Sequence, residues 1–155
     1  MTLRTIAIGD IHGHAFALAA LLNAVDPKPN DTVVFLGDYI DRGPDSRGVL
    51  QQVLTLSDRC RVVPLMGNHE EMLLQARRNR HSLPMWLDNG GDATLRSYDS
   101  SEELEGIPTT HLEWLSSLQR YHETESHFFI HANYAPNWRL DQHDSKTALW
   151  LPLTD

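Results

Sequence analysis

The chain predicts an α/β fold, and three observations carry that prediction. Short apolar runs alternate with amphipathic stretches over the first half of the 155 residues. Three of those runs end in glycine-bearing blocks: Gly9-Asp10-Ile11-His12-Gly13, Gly37-Asp38-Tyr39-Ile40-Asp41-Arg42-Gly43 and Gly67-Asn68-His69-Glu70. Asp10, Asp38 and Asn68 recur 28 and 30 residues apart, about one βαβ unit. This alternation argues for parallel pairing with right-handed crossovers.

Taken in order, Thr5-Ile6-Ala7-Ile8 reads as a short buried strand before a glycine turn. Ala15 to Val25 carries Phe16, Leu18, Leu21, Leu22 and Val25 at helical spacing, and Pro27 and Pro29 break the helix. Thr32 to Leu36 is apolar throughout apart from its first residue, as in a strand covered on both faces. Asp45-Ser46 can cap a helix whose apolar face includes Val49, Leu50, Val53, Leu54 and Leu56. Arg61 to Met66 is the third strand; Pro64 cannot donate to a ladder, so a peripheral or bulged position is expected. A helix from Glu70 follows, with acidic residues at its positive end.

Beyond it the pattern changes. Met85 to Asp92 reads as a helix end plus turn, and Asp99 to Gly106 as an acidic, serine-bearing loop. Pro108 fits the first turn of a helix carrying Leu112, Trp114, Leu115 and Leu118. Tyr121 to Thr124 and His127 to His131 form a predicted hairpin around Glu125-Ser126, and Asn137 to Asp155 has a helix-like middle. With no linker or repeat, residues 1–155 are expected to be one domain, large enough for a core without disulfides.

A net charge of −8 argues against a nucleic-acid partner, whose phosphates require a basic stripe. The one basic run, Arg77-Arg78-Asn79-Arg80-His81, closes a predicted helix, where cations meet the negative end of the dipole. No segment approaches a membrane span or a signal peptide, and the single cysteine, Cys60, is expected to be a buried bystander despite its flanking arginines. A cytoplasmic setting is the default expectation.

A lone Gly-Asp pair is an ordinary turn. Four fixed residues, however, recur by chance at about one position in 10⁵ if each type runs near ~5%, and here three blocks share one strand-to-helix context. In an open α/β sheet, loops leaving the carboxyl ends of neighbouring strands share a crevice, where these blocks can converge on metal ions. Asp10 and His12, two apart, can point the same way. Asp38, on the middle block, is placed to bridge two cations; Asn68 offers a neutral amide oxygen; His131 emerges at the end of an apolar strand. Oxygens with imidazoles and no thiolate suit Mn²⁺, Fe or Zn²⁺ better than a structural zinc. Two such metals about 3.5–4 Å apart can activate a shared water and clamp phosphoryl oxygens. His69 could then protonate the leaving group, with Asp41 holding its other ring nitrogen, and Arg42 supplies a planar fork for phosphate oxygens.

These blocks resemble the signature motifs of the phosphoprotein phosphatase branch of the calcineurin-like metallophosphoesterases. Trp86-Leu87-Asp88-Asn89-Gly90-Gly91 and His131-Ala132-Asn133-Tyr134 are similar to its bacterial and phage-type members. The resemblance runs from about Thr5 to Trp150. It implies an α+β four-layer fold, a β-sandwich flanked by helices, with a dinuclear site at the sheet edge. It assigns Asp10, His12 and Asp38 to one metal and Asp38, Asn68 and His131 to the other, with His69 and Asp41 as acid dyad and Arg42 on the phosphate. It implies two divalent ions, in the first place Mn²⁺, and direct hydrolysis of a phosphorylated protein or small phosphomonoester without a phosphoenzyme.

Two departures stand out. Met66 occupies the place where the family usually has arginine, and a later Gly-His-Thr-like block with its metal-binding histidine, its following strands and a second arginine near Trp150 are missing. His143 comes too soon to substitute. The chain is therefore expected to lack the family's C-terminal strands, to hold its second metal more weakly, and to have unpaired strand edges that invite self-association. Two alternatives compete: a symmetrical dinucleoside tetraphosphate hydrolase, and a catalytically impaired metal- or phosphate-binding protein. The Asp99–Gly106 and Ala135–Arg139 segments are the expected rims of the cleft.

Overall fold

Three parallel strands, β1 (Thr5–Ile8), β2 (Thr32–Phe35) and β3 (Arg61–Pro64), pair in the order β1-β2-β3, with Ile6 beside Val33 and Val33 beside Val62. The computed structural model describes residues 3–100 and 104–152. Helices α1 (Ala15–Val25) and α2 (Ser46–Leu56) connect the strands, and α3 (Asn68–Arg78) leaves β3. Short helices α4 (Leu83–Trp86) and α5 (Asp92–Ser97) flank a turn over Leu87–Gly91, and α6 (Thr109–Ser116) leads to an antiparallel hairpin of β4 (Tyr121–Glu123) and β5 (Phe128–Ile130). The last helix is α7 (Ser145–Trp150), capped by the Asp144 side chain on the Thr147 N–H at 2.8 Å.

The central strand β2 is covered on both faces, as its composition requires. Val33, Val34 and Phe35 are all fully buried. Val33 and Phe35 face a large core with Leu18 and Leu22 of α1, Val49 and Val53 of α2 and Leu73 of α3. Val34 joins Val63 and Leu65 on the other face, where Phe129 of β5 packs. Each such side chain contributes about 1.5–3 kcal/mol by leaving water.

Pro64 has the expected peripheral place. Its neighbours Arg61 and Leu65 donate toward β2, so position 64 faces outward; its carbonyl accepts the Gln119 N–H at 3.3 Å, and the next outward donor, Met66, reaches the Gln119 carbonyl at 2.8 Å. The missing N–H of proline costs β3 no bond to β2.

Several elements differ from the sequence reading. β1 is an edge strand, and only Ile8 of its four residues is buried. On α1, Leu18 and Leu22 are inside, whereas Phe16 is 90% exposed and Leu21 43%. Helix α3 begins at Asn68, two residues early, so Asn68 and His69 belong to its first turn. Pro108 sits just before α6 as its cap, and α5 follows a turn from which no helix was expected. The Asp99–Gly106 loop falls partly outside the described residues, and its described end, Leu104–Gly106, is a single 3₁₀ turn. Cys60 is buried, and burial pushes its thiol pKa up against the lowering effect of Arg59. Among the described residues no helix is long and apolar enough to cross a membrane.

Candidate metal centre

The loops after β1, β2 and β3 are tied together by their own backbones. The N–H groups of Ile11 and His12 donate to the Asp38 carbonyl at 3.0 and 2.9 Å, and Gly13 donates to Tyr39 at 2.8 Å. From α3, the fully buried Glu70 carboxylate accepts the N–H groups of Asp38, Tyr39 and Gly67, each at 2.9 Å, and of Ile40 at 3.3 Å. Burial and then the Asp38 charge push the Glu70 pKa upward, against four backbone donors that engage both oxygens and favour the ionised form. The cluster holds His12, Asp38, Asp41 and Arg42 at φ of 44°, 53°, 73° and 67°. Left-handed conformations in non-glycine residues cost about 1–3 kcal/mol each and persist where surrounding bonds over-determine them.

Two groups of ligand-type atoms result, each within 4.8 Å of one another: His12, Asp38 and His69, and Asp10, Asp38 and His131. Asp38 is common to both. Its Oδ2 lies 3.4 Å from His12 Nε2 and its Oδ1 3.6 Å from His131 Nε2. This grouping places Asp10 with His131, whereas the family resemblance paired it with His12.

The donor chemistry fits cations. His12 Nδ1 is 2.9 Å from the Ile40 carbonyl and His131 Nδ1 is 2.8 Å from the Leu36 carbonyl, contacts that put the proton on Nδ1 and a lone pair on Nε2. The His12 lone pair accepts from Arg42 Nη1 at 2.8 Å. The His131 lone pair faces Asn68 Oδ1 at 3.0 Å as well as Asp38. Acceptors so opposed repel until a positive species, a proton or a metal ion, lies between them.

Within the first group, His69 Nδ1 also meets Asp41 Oδ2 at 2.7 Å, and the His12 and His69 rings stand edge to face with centroids 4.7 Å apart. The Nε2 of His69 makes no hydrogen bond among the described residues, and no side-chain nitrogen or oxygen there is both fully buried and unpartnered; the slight exposure of His69 thus includes Nε2. All eight residues singled out in the sequence, Asp10, His12, Asp38, Asp41, Arg42, Asn68, His69 and His131, are linked in one cluster at the ends of β1, β2, β3 and β5.

Sequence reasoning missed what surrounds Asp41. Trp86 Nε1 donates to its Oδ2 at 2.8 Å and Thr94 Oγ1 to its Oδ1 at 2.7 Å. The tryptophan lies in a block noted for resemblance, but no signal pointed to Thr94. His143 stays outside the site: its Nδ1 faces the Arg139 carbonyl at 2.9 Å, and its Nε2 accepts the Ala135 N–H at 2.6 Å. Trp150 donates to Glu71 at 2.7 Å.

Comparisons with known proteins show what the chain is similar to. The chain is 37% identical over 132 residues to serine/threonine-protein phosphatase 1 of Salmonella typhimurium, which covers 82% of this chain and 57% of that protein. It is 33% identical over 139 residues to a symmetrical bis(5'-nucleosyl)-tetraphosphatase of a Janthinobacterium species, covering 89% of this chain and 46% of that one. The crystal structure of a candidate diadenosine tetraphosphatase superposes with a TM-score of 0.70 at 28% identity, covering 93% of this chain and 57% of the other. A metallophosphoesterase from Sphaerobacter thermophilus shares the fold with a TM-score of 0.61 at 21% identity, covering 96% of this chain and 50% of that one. The chain spans about half the length of the curated relatives it matches. With the profile of the calcineurin-like phosphoesterases matching residues 3–153, the chain belongs to that family.

Proposed function

We propose that this chain carries the dinuclear site of a metal-dependent phosphomonoester hydrolase of the serine/threonine phosphatase type. The observation that carries the reading is the sharing of Asp38 between two groups of ligand-type atoms, one of which includes the buried, Asp41-bonded His69. Asp10, His12 and Asp38 would hold one divalent ion and Asp38, Asn68 and His131 the other, with Mn²⁺ as the first candidate and Fe or Zn²⁺ as alternatives. Such ions acidify bound water and neutralise phosphoryl oxygens. The exposed Arg42 guanidinium binds and orients the phosphate through its planar fork. His69 gives a proton from Nε2 to the departing oxygen, while Asp41 keeps Nδ1 protonated and the ring in place. Residues 1–155 act as one domain in a cytoplasmic setting, and the edge of β1, unpaired among the described residues, supports self-association.

A second reading has its own support. Several relatives are symmetrical bis(5'-nucleosyl)-tetraphosphatases, which points to a dinucleoside polyphosphate. Phosphate release from a phosphoserine peptide and ADP release from diadenosine tetraphosphate, measured with Mn²⁺ on the same preparation, separate the two. Preference for the peptide supports the phosphatase; cleavage of the dinucleotide alone transfers the site to the other class. Sedimentation tests self-association, and a monomer at all concentrations would reject it.

A further inference from the structure

We propose that the Trp86–Thr94 segment is a positioning device for proton transfer: Trp86 and Thr94 fix the Asp41–Arg42 turn and, through Asp41, the orientation of His69. The proposal rests on the reading of His69 as the general acid and names what holds that acid in line.

Four contacts bind this one segment to two strained residues. Trp86 Nε1–H and the Thr94 hydroxyl each donate to the Asp41 carboxylate, at 2.8 and 2.7 Å, and with His69 at 2.7 Å they are its three side-chain donors among the described residues. Thr94 Oγ1 also accepts the Asp41 N–H at 2.9 Å, and the Gly90 carbonyl accepts the Arg42 N–H at 3.1 Å. With its single proton on Asp41, the Thr94 oxygen takes the Ser46 hydroxyl at 2.9 Å, so both of its lone pairs are used. Asp41, Ser46 and Trp86 are fully buried and Thr94 nearly so. The bonds among these four residues are therefore hidden from competing water.

The backbone is built to allow this contact. Gly90 has φ +103°, and a Cβ there would meet the Arg42 backbone nitrogen at 2.8 Å. A Cβ at Gly91 would run into the Trp86 indole. Both glycines therefore let the segment close on the turn and on its own tryptophan. A carboxylate so enclosed keeps one position, and the imidazole bonded to it keeps one ring angle. Without its donors Asp41 can rotate, and the His69 Nε2–H loses its alignment with the leaving oxygen.

In the step concerned, a water oxygen bonds to phosphorus as the ester P–O bond breaks. The leaving oxygen takes the Nε2 proton of His69, and a proton from the attacking water restores the imidazolium. An ester whose leaving group is a poor base needs that proton little; an alkyl ester needs it most.

The test is therefore a leaving-group series, from dinitrophenyl to alkyl phosphates, with Mn²⁺-loaded wild type, Trp86→Phe, Thr94→Val, Thr94→Ser and His69→Asn. Mn²⁺ content and thermal midpoint are measured on each, so that Trp86→Phe carries the test if Thr94→Val fails to fold. We expect Trp86→Phe and Thr94→Val to lower kcat at nearly constant KM, by under about threefold for the dinitrophenyl ester and by about 10–100-fold for the alkyl ester, with Thr94→Ser close to wild type. His69→Asn should show the same trend more steeply. Equal losses along the series in Trp86→Phe, beside a steep trend in His69→Asn, would overturn the positioning role alone. A flat His69→Asn series would overturn the acid assignment and the proposal with it.

Discussion

His131 and Asn68 face each other as two acceptors, Nε2 to Oδ1 at 3.0 Å, because the Leu36 carbonyl at 2.8 Å draws the imidazole proton to Nδ1. The two residues come from different layers, one from the end of β5 and one from the first turn of α3. Their approach makes chemical sense around a cation. His131→Ala should therefore weaken one of two Mn²⁺ sites by at least about tenfold, ~1.4 kcal/mol, and leave the other nearly unchanged. Calorimetric titration measures both, and the weakened site should be the first to empty against a chelator.

Glu70 is expected to be structural for the same centre. Glu70→Gln replaces one of two accepting oxygens by an NH₂ group that confronts backbone donors, leaving two buried N–H groups without acceptors. At about 1–3 kcal/mol each, the loss should be about 2–6 kcal/mol in urea unfolding. Release of the left-handed Asp38 should lower Mn²⁺ affinity as well.

Acid stability should depend on a residue far from the site. Asp31 accepts from Arg4 Nε at 3.2 and 3.1 Å and from the Lys28 N–H at 2.7 Å, contacts that pull its carboxyl from 3.8 to about 2. A carboxylate pulled down on folding contributes stability that is complete above its unfolded value and disappears as pH falls through its folded value. Asp31→Asn should lower the melting temperature at neutral pH and flatten its dependence between those two values, as thermal scans against pH will record.

Helix α1 offers a contrast between two neighbours of similar hydrophobicity. Leu18→Ala should cost about 2–5 kcal/mol, because the side chain is buried in the core. Phe16→Ala should stay within about 0.5 kcal/mol of wild type, since the ring is 90% exposed. Chemical denaturation of both variants checks the pair.

That contrast also marks how far the residues themselves led. The site blocks were legible because each is local: a glycine turn after a strand, with ligand-type side chains, needs only the rule that parallel strand ends share a crevice. The strands, the Asp45 cap and the β4–β5 hairpin were legible for similar reasons, from apolar runs and turn chemistry within a few residues. What could not be read was non-local. Trp86 and Thr94 reach Asp41 from 45 and 53 residues away, and nothing in their own neighbourhood announces a carboxylate. The exposure of Phe16 and the thin burial of β1 depend on β1 lying at the sheet edge, a matter of strand order and not of periodicity. Helix α5 was hidden because Gly90-Gly91 reads as a turn, yet the chain resumes helical geometry at once.

The most direct test of the central claim is Mn²⁺-titrated hydrolysis of an aryl phosphate by this 155-residue chain, with His69→Asn as control. The account predicts turnover that rises with Mn²⁺ and falls by about 10²–10⁴-fold in the control. No turnover at saturating Mn²⁺, or equal turnover in the two proteins, would contradict it.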